Sequence, residues 1–289
     1  MTEMDIRIQP GDRCVPYRFC TLYSGSEGNA AYLETPGARI LIDAGKCART
    51  LTASLRQLGT APDELDAIFI THEHRDHVAA LEVLTRKHPI PVHMLLECAM
   101  RYRNSQAEAL CNCLVLYRQP DFTTAVGDVT VRAFPTRHDS RASVGYRFDF
   151  DGVSVGYMTD TGSVTNDMEQ ALTGCEAVVL ESNHDEELLM SGPYPYDLKL
   201  RIKSPRGHLS NRDAAALAMR LAERGTRRFL LAHLSETNNY PALAYDEMAS
   251  ALVGTGATVE IASPQDVTML VGDMGRPVAR RPIQGGVPV

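Results

Sequence analysis

A histidine-rich segment at residues 71–77, with the sequence Thr-His-Glu-His-Arg-Asp-His, constrains this chain more than any other feature. The six residues before it, 65–70, are mostly apolar and include β-branched and aromatic side chains, which predicts a buried strand. The residues after it, 78–84, are apolar at helical spacing. Ligand sites of α/β proteins lie at the carboxyl ends of such strands. The sequence therefore places three histidines and an aspartate where a ligand site is expected.

The side chains of this segment suit a metal ion in both chemistry and spacing. Neutral imidazole and ionised carboxylate are preferred ligands of borderline divalent ions such as Zn²⁺. His72 and His74, two residues apart in an extended turn, are expected to face one ion, and Asp76 and His77 to face a second. The chain has nine histidines in 289 residues, so three within six positions are unexpected in an ordinary surface loop. We predict a metal site here.

Three further candidate ligands follow predicted strands elsewhere in the chain. His138 comes just after one strand, Asp160 after the second strand of an Asp-Gly hairpin, and His233 after an apolar strand at 227–232. Asp160 has an alternative role as the cap of a helix that begins near Val164. We favour metal binding for His138 and His233, and both roles stay open for Asp160 at this point.

Two features near the start of the chain have alternative interpretations. The loop at 24–29, Ser-Gly-Ser-Glu-Gly-Asn, contains glycines that allow close backbone approach, and it is either a plain turn or a cradle for phosphate. Asp43 ends a predicted strand. Its carboxylate either caps a helix predicted at 47–58 or holds the histidine segment by hydrogen bonds.

A basic segment lies at 199–212. Its six basic residues, counting His208, stand out in a chain with a net charge of −7. They form either a solvated helix face or a phosphate site, because the helix predicted at 212–223 has an N-terminus that attracts anions. The candidate phosphate contacts are Lys199, Arg201, Lys203, Arg206, Ser210 and Asn211.

Length and composition narrow the class of protein. The chain is long enough for one α/β domain with a large core, and 44% hydrophobic and 22% charged residues are typical of a globular protein. It lacks the run of roughly 18 apolar residues that a membrane helix needs and has no apparent signal peptide. Seven cysteines without a regular framework fit a reducing compartment, so we expect a cytoplasmic protein. The net charge argues against a broad grip on nucleic acid but leaves a local one open.

We expect a single folded domain at 18–271. A polar lead-in at 1–17 precedes it, and a flexible tail rich in glycine and proline follows at 272–289. Oligomeric state is not readable from the sequence.

The pattern His-x-His-x-Asp-His after a strand resembles the signature of the metallo-β-lactamase superfamily. Further motifs make the chain similar to the YycJ (WalJ, VicX) subgroup: Ser-Gly-Ser-Glu-Gly-Asn at 24–29, Glu-Ser-Asn-His-Asp at 181–185, Gly-His-Leu-Ser-Asn at 207–211 and His-Leu-Ser-Glu-Thr-Asn-Asn at 233–239. The resemblance covers roughly residues 18–265. It implies an α/β fold, an αββα sandwich of two mixed β-sheets with helices on the outer faces. The chain departs from the pattern in its longer lead-in, its tail and Arg75, none of which is a ligand position.

The resemblance also implies two divalent metal ions, Zn²⁺ or Mn²⁺, with iron compatible with the same ligands. The implied ligands are His72, His74 and His138 for the first ion, Asp76, His77 and His233 for the second, and Asp160 as the bridge. Asp43 would steady the histidine segment. The motif at 181–185 adds Asn183 and His184 to the candidate substrate contacts.

The implied activity is that of a phosphodiesterase or exonuclease on nucleic acid, with DNA favoured. Water ionised between the two ions would attack phosphorus. His208 would contact a phosphate oxygen or protonate the leaving group. The candidate catalytic residues are Asp76, Asp160 and His208.

Two alternatives come from other functional classes. The first is a hydrolase of a small ester, lactone or thioester, because a metal pair can activate water against any carbonyl. The second is a metal-stabilised regulatory module without catalysis. The basic segment and His208 weigh against the first, and the complete ligand set weighs against the second.

Overall fold

Within residues 16–102, 107–274 and 278–280, which the computed structural model describes, two seven-stranded mixed β-sheets lie face to face with helices outside them. The strands are β1 (Arg18–Tyr23), β2 (Ala30–Glu34), β3 (Arg39–Ile42), β4 (Ala67–Phe69), β5 (Val92–Leu95), β6 (Leu114–Tyr117), β7 (Thr123–Val126), β8 (Val129–Pro135), β9 (Val144–Phe150), β10 (Val153–Met158), β11 (Ala177–Glu181), β12 (Arg228–Ala232), β13 (Thr258–Ile261) and β14 (Thr268–Val271). The helices are α1 (Ala48–Gln57), α2 (Arg75–Val78), α3 (Leu81–Lys87), α4 (Leu96–Ala99), α5 (Glu108–Cys111), α6 (Asn166–Leu172), α7 (Glu186–Ser191), α8 (Tyr196–Lys203), α9 (Asn211–Glu223) and α10 (Pro241–Ala251). The predicted αββα fold class is confirmed.

The first sheet has the strand order β14-β1-β2-β3-β4-β5-β6. Its strands are antiparallel from β14 to β3 and parallel from β3 to β6. A hairpin through Pro36-Gly37 joins β2 to β3. Because β3 and β4 run in the same direction, the loops that follow them leave from one edge of the sheet.

The second sheet has the order β13-β12-β11-β10-β9-β8-β7. Its strands are parallel from β10 to β13 and antiparallel from β7 to β10. Since β9 is antiparallel to both β8 and β10, these two strands share a direction with β11 and β12. The carboxyl ends of all four therefore lie at one edge, which is where the site forms.

Buried side chains alternate along the central strands of the second sheet. Val179 of β11 and Leu230 of β12 point into the core between the sheets. Their neighbours Val178 and Phe229 point into a second core, which the sheet shares with helices α6, α9 and α10. Strands covered on both faces must be apolar throughout, which explains the continuous apolar runs in the sequence.

Strands β7 and β14 are not among the strands that the sequence pattern predicts. Each is four residues long and lies at the edge of its sheet. In β7 every other residue is exposed, so the strand lacks the apolar run by which the central strands are recognised.

The two ends of the chain are described only in part. Of the lead-in predicted at 1–17, only residues 16 and 17 are described, and of the tail predicted at 272–289, residues 275–277 and 281–289 lie outside the described ranges. Within the tail, the amide of Val278 donates to Glu34 Oε2 at 3.3 Å, and Arg280 forms an ion pair with Asp66 at 3.1 Å. Residues 278–280 therefore contact the body of the domain. None of the helices in the described ranges has the length and apolar character that crossing a membrane requires.

Candidate metal centre

The predicted ligands come together at the edge where the parallel strands end. The histidine segment follows β4, and His138, Asp160 and His233 follow β8, β10 and β12. Since both sheets present their carboxyl ends to this edge, side chains 160 residues apart in sequence become neighbours.

Backbone strain marks three residues of this edge. Asp43, Asp160 and His233 have φ angles of 58°, 55° and 56°. A residue with a Cβ pays about 1–3 kcal/mol for a sparsely populated backbone conformation of this kind. Strain of this size persists where the surrounding structure holds it, as it does at functional sites.

Four groups of possible ligand atoms are formed among the described residues, and two of them match the predicted ligand sets. In the first, one ring nitrogen from each of His72, His74 and His138 lies within 4.8 Å of the others. The nitrogens His138 Nε2 and His74 Nδ1 are 3.2 Å apart. This is the set that the resemblance implied for a first ion.

The second group contains Asp76, His77 and His233, whose ligand atoms also lie within 4.8 Å of one another. His77 Nε2 is 3.3 Å and His233 Nε2 is 3.7 Å from Asp76 Oδ2. Asp160 lies between the groups, because its Oδ2 is 3.3 Å from His77 Nε2 and its Oδ1 is 3.7 Å from His138 Nε2.

Unpartnered atoms test whether a cation fits between these groups. Among the described residues, His72 Nε2, His233 Nε2 and Asp160 Oδ2 are buried without any hydrogen-bond partner. Leaving such polar atoms unpaired is costly. Nitrogen and carboxylate donors aimed at one space are the donor set of a divalent metal ion. The residues present therefore fit the metal ions that the sequence predicted.

The ionisation of the histidines agrees with this fit. Burial lowers the pKa values of His72 and His138, which favours the neutral form that binds metal. Burial also lowers the pKa values of His77 and His233, but neighbouring carboxylates outweigh it, chiefly Asp43 for His77 and Asp160 for His233. The pKa of His233 rises to about 10, and that of His77 rises well above its usual value. The protons on these two rings offset the negative charge of the neighbouring carboxylates. A bound divalent cation would offset that charge in their place.

Asp43 holds the histidine segment from behind. It is fully buried, and its carboxylate accepts hydrogen bonds from His77 Nδ1 at 2.8 Å and from the amide of Thr71 at 2.8 Å. The residue that precedes α1 in the cap position is Cys47, not Asp43. Asp43 therefore holds the histidine segment and does not cap α1. Its hydrogen bond to His77 Nδ1 fixes the tautomer of that ring.

The loop at 24–29 packs directly against this segment. The amide of Asn29 donates to the Asp76 carbonyl at 2.8 Å, and its side-chain nitrogen lies 3.2 Å from His77 Nε2. Gly45 allows the close approach, because a Cβ there would lie 2.0 Å from the Asp76 oxygen and 2.4 Å from the Asn29 nitrogen. The loop is thus part of the wall of the metal centre, and Ser26 lines its pocket.

Gly45→Ala is therefore expected to weaken metal binding roughly 10-fold, the size of effect seen when the support of a ligand is disturbed. The new methyl group must displace the backbone of Asp76. The matched control is Gly174→Ala, since Gly174 has a φ of 77° and open space around its Cβ position. That control should cost about 1 kcal/mol of stability without loss of metal. Metal content after dialysis and thermal unfolding of both variants test this, and equal metal loss in the two would contradict it.

The metal centre opens into a pocket of about 290 Å³. Its walls carry candidate ligands from both groups together with residues from the basic segment. The lining includes His74, Asp76, His138, Asp160, Asn183, Tyr194, Arg201, His208 and His233. The predicted catalytic residues therefore share one solvent-accessible space.

Glu181 is a candidate functional residue that the sequence motifs left without a role. It ends β11 and is fully buried. Its Oε1 accepts a hydrogen bond from His208 Nδ1 at 2.7 Å and lies 3.1 Å from His233 Nδ1. The available signal was its position, since it ends an apolar strand in the same way as Asp43.

The charge of Glu181 controls the ionisation of His208. Burial raises the pKa of this carboxyl, but the neighbouring imidazole outweighs burial and brings the pKa to about 2. Conversely, burial lowers the pKa of His208, and Glu181 reverses that effect and raises it. His208 and Glu181 therefore form a hydrogen-bonded pair at the edge of the pocket, in which the buried carboxylate favours the protonated ring.

The predicted substrate contacts are placed less uniformly. Arg201 lines the pocket and pairs with Asp139, and Lys203 pairs with Glu186 at 2.7 Å. Lys199 is only 8% exposed, and its Nζ donates to the Met190 carbonyl at 2.7 Å. Its ammonium is used inside the protein, so we leave Lys199 out of the candidate contacts.

The polar residues of the set also differ. Ser210 Oγ accepts from the amide of Asp213 and caps α9. Asn211 is buried and binds Ser182 and Asn239. Among the predicted polar contacts, Asn183 lines the pocket, whereas Ser210, Asn211 and the buried His184 serve the packing around it.

Several known proteins are similar to this chain in sequence. A family model described as a β-lactamase superfamily domain matches residues 38–234. The chain is 35% identical over 263 residues to a protein of Streptococcus pneumoniae serotype 2 (strain D39 / NCTC 7466) named exodeoxyribonuclease WalJ, with 89% of this chain and 98% of the relative covered. It is 34% identical over 247 residues to a Bacillus anthracis protein named exodeoxyribonuclease YycJ, with 84% and 93% covered.

Solved structures share the fold. The metallo-β-lactamase fold protein YhfI from Bacillus subtilis superposes with a TM-score of 0.66 at 18% identity, covering 88% of this chain and 99% of that one. A diphosphatase from the PhnP family superposes with a TM-score of 0.61 at 16% identity, covering 88% and 96%.

Proposed function

The chain belongs to the metallo-β-lactamase superfamily, in the YycJ-like subgroup, and is a metal-dependent hydrolase; from this premise we propose that it is a phosphodiesterase with exonuclease action on nucleic acid, DNA being the preferred substrate. The observation that carries the proposal is the pair formed by His208 and Glu181 beside two groups of metal ligands. The names of the two full-length bacterial relatives, both exodeoxyribonucleases, support DNA.

We infer two divalent ions, Zn²⁺ or Mn²⁺ with iron compatible. Their ligands would be His72, His74 and His138 for one, Asp76, His77 and His233 for the other, and Asp160 for both. When bound, such ions supply positive charge to a phosphoryl oxygen and make water easier to deprotonate. The chain's own part is to fix the donors, and Asp43 and Asn29 do so from behind the histidine segment.

His208 supports a phosphodiester substrate because that reaction must release an alkoxide. Its Nδ1 lies 2.7 Å from Glu181 Oε1, and we assign the Nδ1 proton to that bond. Nε2 is then the ring nitrogen left for the pocket that His208 lines. Glu181 raises the pKa of His208, so the ring retains a proton that Nε2 can donate to the leaving oxygen. Glu181 acts through His208 as a positioning residue.

Groups that suit a nucleic-acid strand surround the pocket. The side chain of Arg201 is 63% exposed, and its charge favours the phosphate backbone. Tyr194 lines the pocket, and the neighbouring Tyr196 is 64% exposed, so both are available as surfaces on which bases stack. Together they support a single strand as the form of nucleic acid that enters.

The proposal is tested with end-labelled single- and double-stranded DNA and RNA. We expect metal-dependent degradation that a chelator abolishes and that Asp76→Ala reduces to background. Single-stranded DNA should be degraded fastest, and bis(p-nitrophenyl) phosphate should also be hydrolysed. Turnover of nitrocefin or a lactone panel without turnover of any phosphodiester would contradict the proposal and favour the small-molecule alternative. Bound metal without turnover of any ester would favour the regulatory module.

A further inference from the structure

A second pocket of about 280 Å³ lies against the loop that carries His138. His138 lines both this pocket and the catalytic pocket, so the two spaces meet at one candidate metal ligand. We call the second space the arginine pocket, because its lining includes Arg137, Arg141 and Arg206.

The arginine pocket concentrates positive charge along its lining. None of the described residues that line it is a carboxylate. Within the described ranges, the guanidinium groups of Arg137 and Arg141 have no ion-pair partner, whereas Arg147 and Arg201 each pair with an aspartate. In a chain with a net charge of −7, two unpaired guanidinium groups at one pocket point to an external anion.

A hydroxyl group adds a second observation. Ser140 lines the same pocket, and its Oγ is buried without a hydrogen-bond partner among the described residues. A hydroxyl can donate to an oxygen of a bound anion, and an unpaired buried hydroxyl is otherwise unfavourable.

The loop that presents these groups is held in shape before any ligand binds. Its two ends are joined, because the Thr136 amide donates to the Ser143 carbonyl at 3.0 Å and the side chains of the two residues are 2.8 Å apart. The Arg141 amide donates to Glu73 Oε1 at 2.9 Å, and the Arg137 carbonyl accepts from Gly162 at 2.8 Å. The arginine side chains therefore start from fixed backbone positions, which reduces the entropy lost on binding.

Arg206 connects the pocket to the metal centre. Its Nε and Nη2 both donate to the His138 carbonyl, at 3.1 Å and 3.0 Å. This anchors the guanidinium beside the candidate ligand and leaves Nη1 without a hydrogen bond to the described residues. An anion in the arginine pocket would thus lie next to the residue that borders the reaction site.

We propose that the arginine pocket binds a phosphate group of the substrate strand other than the phosphate that is hydrolysed. This inference rests on the proposed function, since it assumes a substrate with more than one phosphate. Planar guanidinium groups bind phosphate through paired hydrogen bonds. The contact would hold the strand in register, with one phosphate at the metal centre and another on the far side of His138.

The test compares the double variant Arg137→Gln/Arg141→Gln with the control Arg56→Gln/Arg86→Gln. The control removes two exposed arginines from the last turns of α1 and α3 and loses the same charge. For a metal-loaded enzyme, kcat/KM for an oligonucleotide divided by that for bis(p-nitrophenyl) phosphate should fall at least 10-fold in the pocket variant. In the control the ratio should move by less than twofold. The pocket variant should also flatten the dependence of oligonucleotide KM on salt.

The experiment also distinguishes a terminal phosphate of the strand from an internal one. If the pocket takes a terminal phosphate, the wild type should prefer phosphorylated oligonucleotide ends and the pocket variant should lose that preference. If it takes an internal phosphate, KM should rise equally for phosphorylated and unphosphorylated ends. A ratio that follows the control in both series overturns the inference.

Failure of the proposed function is recognised separately. It would appear as absence of phosphodiester hydrolysis in the wild type. Equilibrium binding of a fluorescent oligonucleotide to the same variants then decides the inference, with at least 10-fold weaker binding expected for the pocket variant alone. Equal affinity of both double variants would reject it.

Discussion

Asp160→Ala is expected to reduce metal-dependent hydrolysis by roughly three orders of magnitude, a loss of about 4 kcal/mol of transition-state stabilisation. The carboxylate reaches both ligand groups, with Oδ2 3.3 Å from His77 Nε2 and Oδ1 3.7 Å from His138 Nε2. The variant should also retain less metal than the wild type, and metal analysis together with kcat/KM on an oligonucleotide measures both effects.

The matched control for this experiment is Asp167→Ala. Asp167 is an exposed aspartate in the first turn of α6, outside the pocket. It should keep wild-type metal content and activity. If Asp160→Ala folds, binds two equivalents of metal and retains activity within 10-fold of the control, the assignment of Asp160 as the shared ligand is wrong.

The second large effect is expected for His208→Ala, and its size should depend on the leaving group. DNA releases an alkoxide that needs a proton, whereas p-nitrophenolate is a stable leaving group. Loss of a general acid costs about 10²–10⁴-fold where protonation matters. We therefore expect kcat on DNA to fall at least 100-fold and kcat on bis(p-nitrophenyl) phosphate to fall less than fivefold.

Two further variants separate acid catalysis from a loss of shape. Glu181→Gln keeps the size of the side chain but removes the charge that raises the pKa of His208. It should shift the basic limb of the pH–rate profile on DNA to lower pH, because the imidazolium then loses its proton more easily. His88→Ala, at the end of α3, is the control. Equal losses of His208→Ala on both substrates would indicate phosphate binding in place of proton donation.

Most of the candidate metal ligands could be predicted from local sequence patterns. Each implied ligand lies at the end of a predicted strand, and such ends converge because parallel strands share an edge. The histidine segment needed no knowledge of distant contacts. His138 and His233 were found by the same rule and placed by their resemblance to the family, and the structure brings both beside Asp160.

Other features depended on contacts that no local pattern encodes. Glu181 carries no ligand motif, and its role follows only from the side chains of His208 and His233 that meet it. Lys199 fits a basic segment in sequence, but the turn of α8 directs it to the Met190 carbonyl. The arginine pocket combines residues 137 and 141 with Arg206, which is more than 60 positions away.

The left-handed backbone at Asp160 places selection for hydrolytic activity in conflict with selection for thermal stability. Glycine adopts a φ of 55° without steric cost, and it would also remove a buried oxygen that has no hydrogen-bond partner among the described residues. A population selected only for survival at high temperature should therefore replace this aspartate early and lose hydrolysis. Descendants that must still cleave their substrate can gain robustness only at positions away from this edge.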